Sequence, residues 1–260
     1  SESHLEAVGT VGQLFWANNL DFTLVASTSS LIALTKTLDQ SPVIDGTGSM
    51  TARLVGRPKD EVELEDVSIE LSTLAGVVHA EGIVGGLGVA ARDSSRGIET
   101  QLSFQVSTKH VKSALAVFNQ EVPIDGTGTA KGMLIRDDNR YRVEALSLTA
   151  TGPELELTAT GQVEALGQEP EFSVQIEGHT TDLLVLTQAW KYEWPLPDRI
   201  DVTVAGWVDA VAGRVRISGV TGSLSGQGIT GRFSGRLPVF GHWERADLSL
   251  HLDLLDLGVL

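Results

Sequence analysis

The chain has 260 residues, 42% of them apolar and 20% charged, a globular composition that fits one large domain or two small ones. Its net charge of −15 repels phosphate backbones, which argues against nucleic acid as a partner and against broad adsorption onto an anionic bilayer. It has no cysteine, hence no disulfide and no thiolate metal site, and no apolar run approaches the roughly 18 residues of a membrane-spanning helix. Glycine is abundant, at 28 residues, and aromatic residues make up only 5%, which suits many strands joined by tight turns. No secretory signal is visible. The abrupt opening at Ser1 and the apolar run from Leu254 to Leu260 lead us to expect a piece of a longer chain.

Residues 1–19 read as the end of a preceding structural unit. Leu20, Phe22, Leu24 and Ala26 then alternate with polar neighbours, the period of two that marks a strand with one apolar and one wet face. Ser27–Ser30 offer N-caps for a short helix carrying Leu31, Leu34 and Leu38, which Pro42 ends. Ile44-Asp-Gly-Thr-Gly48 opens a second strand through Leu54. A turn over residues 56–60 leads to Val62 and Leu64; the phase slips at Glu65-Asp66, and Val67, Ile69 and Leu71 continue on the new phase. Val77 to Gly88 is another strand region, and residues 92–97 form a turn.

The order of elements then repeats. Leu102, Phe104 and Val106 form a strand, and Ser107-Thr108 caps a helix with Val111, Leu115 and Phe118. Val122-Pro-Ile-Asp-Gly-Thr-Gly128 returns the earlier word, a strand runs through Ile135, and Asp137–Asn139 turn. The phase slips again at Glu144-Ala145, between Val143 and Leu148. After Gly152-Pro153 comes the clearest strand, Leu155, Leu157, Ala159, Gly161, Val163 and Ala165 alternating with polar residues. A third copy starts at Phe172, Val174 and Ile176, with a helix from Leu183 to Trp190, a strand at Val202 and Val204, a third slip at Ser218-Gly219, and a strand through Phe233 to Leu237. Leu248, Leu250 and Leu252 start a fourth. The spacing predicts repeats at residues 20–98, 99–171 and 172–245, with 246–260 beginning another. The expected fold is mainly β, a repetitive antiparallel sheet with one short helix per repeat. One extra residue at the same strand of each copy is a β-bulge, and bulges in line would crease the sheet into an elongated trough, apolar inside. A loop dividing each segment into two strands is the simpler alternative.

An apolar face must be covered. Either the two walls of the crease pack on each other, or they stand apart and an apolar ligand fills the groove. Medium aliphatic side chains interleaved with Ala and Gly, and one small helix for four strands, favour the second. The expected lining is Leu155, Leu157, Val163, Phe172, Val174 and Ile176, with Leu102, Phe104 and Val106 one repeat earlier and Val143, Leu148, Val202 and Val204 beside them.

Pro123-Ile-Asp-Gly-Thr-Gly128, the alternating Leu-x-Leu strands, the run Pro170-x-Phe-x-Val-x-Ile176 and the Leu-rich start Asp182-Leu-Leu-Val-Leu186 together resemble the AsmA/TamB/YhdP group of bacterial envelope proteins. The likeness covers the chain from about Leu20 onward, and the order of elements carries it. The resemblance implies a periplasmic, taco-shaped β-groove in a Gram-negative bacterium, its parent anchored by an N-terminal helix in the inner membrane. It further implies transfer of phospholipid acyl chains between inner and outer membranes and support of outer-membrane lipid homeostasis. The anchor helix and the membrane-proximal ends of that group have no counterpart in this sequence.

Asp45-Gly-Thr-Gly and Asp125-Gly-Thr-Gly lack the direct Asp-Thr/Ser-Gly order of paired-aspartate proteases and read as turns that start strands. The six histidines, His110 expected in a helix and His251 on a wet strand face, show no metal-ligand spacing, and Asp137–Asn139 is a poor calcium loop. No nucleophile elbow or phosphate loop is present. The expectation is therefore a protein without catalysis, cofactor or metal. The competing readings are a structural β-repeat spacer, or a module binding protein or glycan, with a self-packed core; an enzyme on a β-repeat scaffold is the third.

Overall fold

A computed structural model describes residues 3–12, 19–33, 45–57, 62–87, 100–116, 125–137, 140–166, 171–183, 199–211, 214–226, 228–237 and 246–254. These residues are mainly β. The strands are β1 (Ser3–Gly12), β2 (Asn19–Thr28), β3 (Gly46–Gly56), β4 (Val62–Thr73), β5 (Gly76–Val84), β6 (Thr100–Thr108), β7 (Thr127–Asp137), β8 (Arg140–Thr151), β9 (Leu155–Leu166), β10 (Glu171–Thr180), β11 (Asp201–Val211), β12 (Arg214–Gly226), β13 (Ile229–Leu237) and β14 (Asp247–Leu254). A helix, α1 (Val111–Ala116), lies between β6 and β7. The strands form one antiparallel sheet in which hydrogen-bonded neighbours follow chain order from β1 to β14, as short connections between successive strands require. By contacts the chain forms two compact units, residues 1–108 with 130–144, and residues 109–129 with 145–260.

In the first unit, register places the apolar residues of successive strands side by side. Leu20, Phe22, Leu24 and Ala26 of β2 face Gly56, Leu54, Ala52 and Met50 of β3, and Met50 and Gly48 face Ile69 and Leu71 of β4. Ile69 and Leu71 face Ala80 and Val78 of β5, which in turn face Phe104 and Val106 of β6. The polar residues share the other face. There Arg53 forms a two-bond fork with Asp21, both bonds 2.8 Å long, and reaches Glu65 at 3.6 Å.

The second unit follows the same rule. Val163, Gly161, Ala159 and Leu157 of β9 face Phe172, Val174, Ile176 and Gly178 of β10. Those four face Ala210, Val208, Gly206 and Val204 of β11. Val202 and Val204 face Leu224 and Gly222 of β12, and Gly222 faces Phe233 of β13, itself opposite Leu250 of β14.

A residue with left-handed backbone stands at each of the three expected phase slips, and at two of them the register shows a bulge. Register shifts on both sides of β4 at Asp66 (φ 49°) and on both sides of β12 at Gly219 (φ 57°), and Ala145 in β8 has φ 50°. These residues are 79 and 74 positions apart. Each strand continues through its slip, so the alternative of a dividing loop is set aside.

The Asp-Gly-Thr-Gly words join a strand start to a helix start. Asp45 Oδ1 accepts the Gly46 N–H at 2.9 Å and the Ser30 hydroxyl at 3.1 Å, while Ser30 Oγ accepts the Ala33 N–H at 3.2 Å as an N-cap. Asp125 Oδ1 accepts the N–H groups of Gly126 and Lys112, at 2.9 and 3.2 Å, and the Val111 N–H bonds the Gly126 carbonyl. Gly46 and Gly126 are required because a Cβ there would strike the carbonyl oxygens of Ser72 and Thr151 across the strand pair. His110, expected inside the helix, stands just before it, where no helical turn encloses it and its Nδ1 lies 3.0 Å from Asp125 Oδ2. Residues 31–33 are helical. The rest of that expected helix, Phe118, the helix expected over 184–190, the turn expected over 92–97 and Asp138-Asn139 lie outside the described residues.

Candidate functional site

The candidate site is the apolar face of the sheet, taken in each unit by itself. In the first unit, Leu102, Phe104 and Val106 stand on this face of β6 opposite Gly82, Ala80 and Val78. Val143 of β8 is buried, and it flanks Gly132 together with Phe104: a Cβ on Gly132 would lie 3.0 Å from the Phe104 ring and 3.1 Å from Val143 Cγ1. Leu31 of the helical turn reaches the same face at Gly48 and Leu71, so the helix start covers one end of it.

In the second unit, register brings eight expected lining residues together: Leu155, Leu157 and Val163 on β9, Phe172, Val174 and Ile176 on β10, and Val202 and Val204 on β11. They form rows across the strands. One row reads Leu157, Gly178, Val204, Gly222, Phe233 and Leu250. Gly178 leaves room for its neighbours, since a Cβ there would lie 3.2 Å from Val204 Cγ1 and 3.5 Å from Leu157 Cδ1. Leu148 lies on β8 within this unit and is partly exposed.

The face is covered unevenly. Val174 is 8% exposed, whereas Leu157 and Val204 keep 37% and 38% of their surface, and Leu248, Leu250 and Leu252 keep more. Among the described residues, Val67 alone of the large side chains is fully buried. Side chains at the centre of a closed sandwich are buried to a few per cent by the opposing sheet, about 10 Å away. A face with Leu and Val more than one-third open still presents apolar area to the medium, and each methylene laid against it is worth about 0.8 kcal/mol.

The expected lining omitted Val208, Ile217, Leu224, Phe233, Leu248, Leu250 and Leu252, which register places on the same face of the second unit. The period of two in each strand was the signal for them. Chemistry beyond apolar contact has little to work with here. Among the described residues there is no group of three or more His, Asp or Glu able to hold a metal ion, and no buried polar side chain is left without a hydrogen bond. Of the carboxylates with displaced pKa, Asp45 and Asp125 are exposed and Asp21 is half-buried; Asp21, Asp45 and Asp125 are held below the usual aspartate range by the Arg53 guanidinium, by the Gly46 N–H and by His110 respectively. These are structural contacts at strand and helix starts or on the polar face. Among the described residues no helix is long and apolar enough to cross a membrane. No family model, curated protein or solved structure matches the chain.

Proposed function

We propose that this chain is a segment of a bridge-like lipid transfer protein, whose apolar sheet face carries phospholipid acyl chains between the inner and outer membranes of a Gram-negative envelope. In this reading the bulges at Asp66, Ala145 and Gly219 bend the sheet so that the apolar face becomes a groove. The acyl chains lie along it, and the headgroups stay at its wet edge. A short helix in each repeat covers part of the opening. The protein works in the periplasm, its parent anchored in the inner membrane, and the outcome is outer-membrane lipid homeostasis. No bond is made or broken.

The observation that carries the proposal is the alignment of apolar side chains in rows across the strands, interleaved with glycines, combined with their partial exposure, as at Leu157 and Val204. Rows of near-equivalent Leu, Val and Ile contacts have no single deep well, which suits sliding of a chain over tight storage. The order of elements shared with the AsmA/TamB/YhdP group supports the periplasmic setting.

The test is site-specific photo-crosslinking in cells on the parent protein. A photoreactive residue is placed at Leu157 or Val174, with Thr158 and Gln175 of the polar face as controls. Phospholipid adducts at the two apolar positions and none at the controls are expected. Adducts confined to the protein itself at Leu157 and Val174 would overturn the proposal in favour of a self-packed spacer.

A further inference from the structure

The polar face of the second unit is divided by charge. Strands β9, β10 and β11 carry six carboxylates, Glu156, Glu164, Glu171, Glu177, Asp201 and Asp209, and no Lys or Arg. Strands β12 and β13 carry four arginines, Arg214, Arg216, Arg232 and Arg236, and no carboxylate. Register puts both sets on the same face: Asp209 stands opposite Arg216, and His179 leads through Thr203 and Ser223 to Arg232. Within β9–β13 the signs are gathered in blocks rather than alternating along each strand, and they meet at Asp209 and Arg216; β14, with Asp247 and Asp253, borders the arginine block on its other side.

Two further observations single out the boundary between the blocks. Arg214, Arg216 and Arg232 are exposed and form no ion pair or hydrogen bond with a described residue; Arg236 has Asp247 at 3.4 Å. Trp207 sits on β11 at the boundary with β12, between Gln175 and Ser218, on an otherwise polar face. It is 45% exposed, and its indole N–H bonds no described residue. Trp207 also adjoins the bulge, where β12 shifts register against β11 between Ala205 and Trp207. Bulges commonly re-aim a side chain at a binding surface.

We infer that this polar face is a self-complementary docking surface for a second copy of the chain. A two-fold axis running along the strands between β11 and β12 lays the β10–β11 carboxylates of one copy over the β12–β13 arginines of the other, and the reverse at the same time. That is the isologous arrangement in which each contact occurs twice. Both Trp207 side chains then flank the axis, at the centre of the contact, the usual place of an aromatic anchor with arginines around it. Four strands at about 4.8 Å spacing and about 34 Å length give roughly 650 Å² per copy. Doubled, this is about 1,300 Å², at the lower end of a specific interface, so the dimer is weak and sensitive to salt. The inference uses the face opposite to the proposed lipid face and stands independently of it.

The test is sedimentation equilibrium of the intact chain in about 50 mM and about 500 mM NaCl, a range over which the Debye length falls several-fold. Dimers are expected at low salt, with the dissociation constant rising at least about tenfold at high salt. Trp207→Ala is expected to weaken the dimer about tenfold or more with an unchanged circular dichroism spectrum. Arg216→Glu with Arg232→Glu reverses the charge of two of the four arginines in the basic block; Glu177→Arg with Asp209→Arg reverses the charge of the two carboxylates that would face them. Each variant alone is expected to be monomeric, and their equimolar mixture to recover a dimer. A monomer at all concentrations in low salt would overturn the inference. So would a dimer that persists in high salt and ignores these substitutions, since that one would be built on the apolar face.

Discussion

The ring of Phe233 on β13 occupies the space that a side chain at Gly222 on β12 would fill, and the two residues are direct partners across the strand pair. The Thr203 carbonyl closes the same space from β11. A Cβ at position 222 therefore has neither a flexible neighbour to displace nor an open direction. Gly222→Ala is expected to destabilise the chain by about 1–3 kcal/mol, the usual cost of overpacking. Combining it with Phe233→Leu should return part of that loss and not all, because the backbone contact remains. Urea unfolding of the two single variants and the double variant reads the coupling directly.

The bulges make a prediction whose sign is diagnostic. Ala145 holds a left-handed backbone, with φ 50°, where Gly219 stands at the matching slip of the later strand. A non-glycine residue in that conformation costs about 1–2 kcal/mol, partly offset by the lower entropy of alanine in the unfolded chain. Ala145→Gly is expected to stabilise by about 0.5–1 kcal/mol, and Gly219→Ala to destabilise by about 1 kcal/mol. In an ordinary extended strand Ala145→Gly would instead lower the melting temperature, so calorimetry on these two variants tests whether the bulge exists in solution.

Much of the fold was legible because its main signal is local. Strict alternation from Leu155 to Ala165 gives both the strand and its apolar face, and the slips at Glu65-Asp66, Glu144-Ala145 and Ser218-Gly219 mark the bulges to the residue. Relations between strands were not legible. That Trp207 points to the polar side beside a bulge depends on the register of β11 against β12, and the separation of carboxylates from arginines appears only once five strands are laid side by side. Asp45 and Asp125 read as turn residues in sequence; their bonds to Ser30 and to Lys112, 15 and 13 positions away, make them clasps between strand and helix.

That clasp at Asp45 should show in acid. The Gly46 N–H, then the Ser30 hydroxyl, favour the ionised carboxyl and hold its pKa below the ordinary 3.8. A group with a lowered folded-state pKa contributes stability that is complete above the unfolded value and lost as pH falls through the folded one. Asp45→Asn keeps an oxygen acceptor for Gly46 and removes the charge. The variant is expected to be less stable than the parent chain at pH 7, with the gap closing below about pH 4. Urea midpoints measured at both ends of that range check it; a gap that is constant with pH would mean the charge plays no part.

The openness of the apolar face predicts an uneven response to truncation. Val174 is nearly enclosed by its neighbours on β9 and β11, while Leu157, on the same face one strand away, keeps 37% of its surface. In a self-packed core both would leave cavities, and Leu157→Ala would cost about 2–5 kcal/mol. On a face that waits for a ligand, Leu157→Ala removes contacts the free protein does not make, and its cost stays below about 1 kcal/mol. Val174→Ala is expected to cost about 1–3 kcal/mol in either case and serves as the internal standard. Adding detergent or phospholipid micelles should then separate the two variants further. The parent chain and Val174→Ala gain stability from a bound apolar ligand by mass action, and Leu157→Ala gains less because part of the binding surface has gone. Equal gains for all three proteins, or none, would show that apolar molecules do not settle on this face.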